Sequence, residues 1–170
     1  MNLPEKLKFM SKTSIVKEAA EKAMADECER ARHLLGMAEK LVAGAFLVTG
    51  FQLLNLAALL ESPSRLPQVS CYLALAALGA SLFFGFYSLR PKGRPGYPRG
   101  DRLWETLKPD NVSEDAAEEA IVHLLLKSRE QNAKLNDAKA RSLFWCGWLL
   151  FAGVLLVAGS MVLNALTFNE

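Results

Sequence analysis

Residues 143–166 read LFWCGWLLFAGVLLVAGSMVLNAL, 24 positions without Asp, Glu, Lys, Arg or His. A helix rises 1.5 Å per residue, so about 20 residues cross a ~30 Å hydrocarbon layer. This run is long enough to span a bilayer. Two further runs share its character: residues 41–60 (LVAGAFLVTGFQLLNLAALL) and 69–89 (VSCYLALAALGASLFFGFYSL). Together the three hold 65 of the 170 residues, so every Lys, Arg, Asp and Glu falls in the other 105. A soluble core would interleave charge with apolar positions at helical or strand spacing. That segregation excludes a soluble globular enzyme, a disordered chain and a secreted disulfide scaffold. The three cysteines, Cys28, Cys71 and Cys146, are odd in number and lack C-x-x-C spacing. They read as free small residues.

The expected fold is an all-α integral membrane protein with three transmembrane helices. Residues 1–40 form a cytosolic amphipathic helix, 41–60 the first span and 61–68 an external turn. Residues 69–89 form the second span and 90–112 a basic, Pro/Gly-rich cytosolic loop. Residues 113–142 form a second cytosolic helix, 143–166 the third span and 167–170 an external tail. Orientation follows from the basic residues. Nineteen of the 20 Lys and Arg lie in 1–40 and 90–142, and only Arg65 lies between the first two spans. By the positive-inside rule the N-terminus is cytoplasmic and the C-terminus lies outside.

No Pro interrupts Ser14 to Leu60, so the first helix is expected to enter its span unbroken. Its apolar stripe is read as Ile15, Ala19, Ala23, Met24, Ala31, Leu34, Leu35 and Ala38. Ser113 can cap the second long helix, and Glu114, Asp115, Glu118 and Glu119 suit its positive end. Ile121, Leu124, Leu125 and Leu135 are its expected apolar face. Neither Pro nor Gly occurs from Val112 to Cys146, so this helix too is expected to continue into its span.

Small residues recur at regular spacing in the spans: Ala43, Gly50 and Ala57; Ala77, Ser81 and Gly85; Cys146, Gly153 and Ser160. Such stripes let helix backbones approach closely in lipid. They are read as helix-packing faces within or between subunits. Thr49, Gln52 and Asn55 lie three apart and share one polar face. A hydrogen-bonding group in hydrocarbon is costly without a partner. The face therefore either bonds another helix or lines a polar pathway, and a pathway demands several copies because three helices cannot surround a pore. Asn164 raises the same question near the outer end of the third span.

Trp145, Trp148 and Tyr87 fit an aromatic belt at the cytoplasmic boundary, and Tyr72 one at the outer boundary. In the loop, Arg90, Lys92, Arg94, Arg99 and Arg102 sit just inside the membrane, suited to anionic lipid headgroups. The loop lacks the interleaved aromatics of a nucleic-acid contact, and no stable nucleic-acid binding is expected.

Catalytic chemistry is sparse. No nucleophile elbow, Walker loop, paired cysteines or H-E-x-x-H motif occurs. His33 and His123 stand on different cytosolic helices. No ionisable residue lies within a span, which argues against a proton-coupled transporter or a voltage sensor. The chain is read as non-enzymatic, with no catalytic, cofactor or metal site.

The order of elements carries a further signal. An amphipathic helix and a two-span hairpin precede the Arg-Pro-rich loop. A helix then leads Ser128-Arg129-Glu130-Gln131-Asn132-Ala133-Lys134-Leu135-Asn136-Asp137-Ala138-Lys139-Ala140-Arg141 directly into the third span. This layout resembles the small membrane effectors of bacterial nucleotide-signalling antiphage systems, the Pycsar membrane effectors among them. The resemblance is architectural and carries over no functional residue. It implies a homo-oligomer of the bacterial inner membrane that impairs membrane integrity when a cytosolic protein or nucleotide triggers it. A channel-forming or membrane-perturbing effector is therefore the first reading. The alternative is a scaffold or accessory subunit of a larger membrane complex, whose long helices bind another chain.

Overall fold

The computed structural model describes residues 12–61, 64–90 and 113–167. Every regular element among them is a helix: α1 (Lys12–Leu54), α2 (Leu56–Leu60), α3 (Arg65–Leu89) and α4 (Glu114–Thr167). Three of these are long and apolar enough to cross a membrane. The chain divides into two compact units. The described part of the first is 12–32 with 113–137. That of the second is 33–61, 64–90 and 138–167.

The long helices begin and end where side chains allow. Ser113 Oγ accepts from the Ala116 N–H at 3.4 Å, which caps the start of α4. Ser64 does the same for α3 through Leu66 N–H. Cap and proline together start α3 at Arg65, four residues before the charge-free run begins. Pro67 sits in the first turn, where its missing N–H costs no helical bond. The first span was expected to be one helix to Leu60. It instead breaks at Asn55, where φ is −94° and ψ 0°. Asn55 Nδ2 donates to Phe51 O at 2.8 Å, a local bond that competes with the backbone ladder.

In the second unit, α1, α3 and α4 form a bundle with an inverted distribution of side chains. Its interior holds small and polar groups: Gln52, Cys71, Ala74, Ser81, Ser88, Cys146 and Ser160 are all buried. Its exterior is greasy, with Leu47 76% and Leu54 85% exposed alongside Phe51, Phe83, Phe86, Trp145 and Trp148. Water would not tolerate that surface, whereas lipid solvates it. Leu34, Ala38 and Leu143 form one apolar cluster, and Ala74, Leu78 and Val157 another.

In the first unit, two helices pack along a narrow seam. Ala20, Met24 and Ala31 of α1 are buried, as are Val122, Leu125, Asn132 and Asn136 of α4. Of the expected stripes, Met24, Ala31, Leu34, Ala38 and Leu125 are buried, and the other positions are corrected. Ile15 and Leu35 are exposed large hydrophobics, and Ala19 is exposed while Ala23 is only half-buried. On α4, only Leu125 of the four expected apolar residues is buried; Ile121, Leu124 and Leu135 are half-buried. The buried positions stand three, four or seven apart, so a residue one step off the seam is half-buried or exposed.

Candidate functional site

The candidate site is the polar interior of the second unit. Serines join its helices through hydroxyl-to-carbonyl bonds. Ser81 Oγ donates to Cys146 O at 2.9 Å, Ser142 Oγ to Phe84 O at 2.8 Å and Ser70 Oγ to Leu156 O at 3.1 Å. Ser88 and Ser160 turn back on their own helices, to Gly85 O and Val157 O. Each hydroxyl thereby finds a partner where lipid offers none. Ser70 and Ser142 lay outside the stripes read from the sequence. Nothing in their spacing marks them, since Ser is common in spans.

Two glycines permit the close approach. A Cβ on Gly85 would fall 2.5 Å from Val42 Cγ2, and one on Gly153 would fall 2.7 Å from Leu78 Cδ2. Ser81, Gly85, Cys146, Gly153 and Ser160 all face the interior, and Ala77 is half-buried. The first-span stripe differs: Ala43 and Gly50 on α1, and Ala57 on α2 past the break, are exposed. Nothing lies within 4 Å of a Cβ built on Gly50.

The three polar residues of the first span take different environments. Gln52 is fully buried, and its Nε2 donates to Cys71 Sγ at 3.0 Å. Its Oε1 has no partner. Thr49 and Asn55 are half-buried and bond their own helix, to Ala45 O and Phe51 O. So of these three, only Gln52 makes an interhelical contact, and Thr49 and Asn55 bond carbonyls four residues earlier. All three cysteines are free thiols, with Cys71 and Cys146 buried.

Arg90 is exposed at the C-terminal cap of α3. Lys92, Arg94, Arg99 and Arg102 lie outside the described residues, as does Trp104. Trp145 and Trp148 are 55% and 56% exposed, and Phe144 packs edge-on against both. His33 and His123 are exposed. Among the described residues, no group of three or more His, Cys, Asp and Glu side chains gathers to hold a metal.

The first unit carries a second polar cluster. Asn136 Nδ2 donates to Glu27 O at 3.0 Å and to Glu27 Oε2 at 2.9 Å. Arg30 pairs with Asp137 at 2.7 Å and approaches Glu27 at 3.7 Å. Asn132 Nδ2 contacts Met24 Sδ at 3.5 Å. Sequence reading missed these asparagines because they interrupt an apolar pattern. Their signal is the four-residue spacing of two amides in one seam, the device by which paired helices fix register.

One comparison with known proteins matches. The family model described as the Pycsar effector protein domain matches residues 23–166, from early in α1 to the last residue of the third charge-free run. No curated protein and no solved structure gives a match.

Proposed function

Because the chain belongs to the Pycsar effector protein domain family, we propose that it is an antiphage membrane effector that self-assembles and permeabilises the bacterial inner membrane. It acts without catalysing a reaction. Its N-terminus is cytoplasmic and its C-terminus periplasmic, and the cytosolic helix pair receives a protein or nucleotide trigger. Arg90 and the basic loop rest on anionic headgroups.

The observation that carries self-assembly is an unused small-residue face on the first span. Cys146, Gly153 and Ser160 of α4, with Ser81 and Gly85 of α3, are covered inside the chain's own bundle. Ala43 and Gly50, seven apart on α1, are small and exposed, and Ala57 is exposed on α2 past the break. In lipid, a face of that kind is where another helix approaches. Gln52 supports the permeabilising step, because its unpartnered oxygen gains a partner when copies rearrange around water.

The test is membrane potential in bacteria expressing the chain, read with a voltage-sensitive dye. Depolarisation is expected, and Gly50→Leu should abolish it while the chain still inserts. A polarised membrane, together with a strictly monomeric chain in nanodiscs at every concentration, would defeat self-assembly. The scaffold reading would then replace it.

A further inference from the structure

A small cavity lies between α2 and the end of α4. Its volume is about 130 Å³, and Asn55, Ala58, Leu59, Met161, Asn164 and Ala165 line it. It sits where the first span is broken, and two of its six lining side chains are amides. One turn inward along α1, on the face of Asn55, Gln52 is 0% exposed and its Oε1 is unpartnered. At ~30 Å³ per molecule the cavity has room for about four waters.

We propose that this cavity is a hydrated vestibule that admits water and monovalent cations toward Gln52. The chemistry of the open groups decides the ligand. A carbonyl oxygen is completed by a donor hydrogen or by a cation, and an anion would set lone pair against lone pair. Asn55 has committed its Nδ2 to Phe51 O, which leaves Oδ1 as its acceptor. The three charge-free runs contain no carboxylate. Divalent cations favour carboxylate sets, whereas neutral amide oxygens replace part of a monovalent ion's hydration and release it readily. The inference deepens the permeabilising role proposed above, but the hydration it requires exists without conduction.

The test uses the full chain in nanodiscs, so that both membrane faces are open to reagent. Ala165→Cys lines the cavity, and Leu166→Cys, its neighbour in sequence, replaces a side chain 60% exposed on the outer surface. Labelling is measured with a trimethylammonium methanethiosulfonate and with its sulfonate counterpart, over the background of the unaltered chain. Ala165→Cys should react with the cationic reagent at least roughly tenfold faster than Leu166→Cys, because the required thiolate does not form in hydrocarbon. The anionic reagent should show no such advantage. Adding Asn55→Leu and Asn164→Leu should remove the difference. Equal rates at the two positions, or equal rates with the two reagents, would overturn the proposal. Depolarisation is read separately, so failure of the permeabilising role and failure of the vestibule are distinct results.

Discussion

Gly85 and Val42 leave no room between them for a methyl group: a Cβ on Gly85 would lie 2.5 Å from Val42 Cγ2. Cys146 Sγ stands 3.4 Å from the same point. Gly85→Ala must therefore push α1 or α4 away from α3, at a cost of about 1–3 kcal/mol. Val42→Ala in the same chain should return part of that loss. Gly147 has nothing within 4 Å of a built Cβ, so Gly147→Ala should be neutral or stabilising by about 0.5–1 kcal/mol. Unfolding in mixed micelles checks all three, and equal losses at Gly85 and Gly147 would contradict the packing.

Gln52→Leu should separate stability from action. The substitution removes a weak bond to Cys71 and an unpaired buried oxygen together. Such exchanges are close to neutral, within about 1 kcal/mol. Depolarisation in cells should nevertheless be lost. A strongly destabilised variant would show that the Cys71 contact holds the bundle together.

Asn136→Asp sets a carboxylate against Glu27 Oε2, where an amide N–H now donates. Repulsion between the two should destabilise the first unit by about 1–3 kcal/mol at neutral pH. The repulsion requires both carboxylates to be ionised. The loss should therefore be present at neutral pH and fade as acid protonates one partner. Thermal melts monitored by circular dichroism from pH 7 to pH 4 check the sign.

Glu130 lies on the exposed surface, and its pKa is lowered by the hydrogen bond from Lys134 Nζ and then by that ammonium's charge. A depressed carboxylate stabilises the fold above its unfolded pKa. That contribution fades as the pH falls through the folded value. In a carboxyl NMR titration, Lys134→Met should move the Glu130 midpoint upward, and added salt should shrink the difference. An unmoved midpoint would mean the pair does not persist in solution.

The spans were legible because hydrocarbon admits no charge, and residues 41–60, 69–89 and 143–166 contain none. What faces inward was harder to read. In water, hydrophobicity sorts residues between core and surface. In lipid both environments are apolar, so Phe83 and Trp148 turn outward while Ser81 and Gly85 turn inward. The broad apolar stripe of α1 also misleads. Leu34 is buried and Leu35, one step round the helix, is 41% exposed. Thr49 and Asn55 share the side of Gln52 in sequence spacing, but each reaches the carbonyl four residues earlier on its own helix. Periodicity cannot distinguish that bond from one made to another helix. The break at Asn55 was hidden for the same reason.

The absence of charge from those three runs has a consequence for reversibility. The field across a membrane does work of about 2.3 kcal/mol per elementary charge per 100 mV. With no elementary charge on their side chains, these segments give the field almost nothing to push. Under the proposed trigger, a conformation once set would hold at the same occupancy whether the cell is energised or spent. If the proposed permeabilisation collapses the potential, that collapse would supply no feedback through these segments.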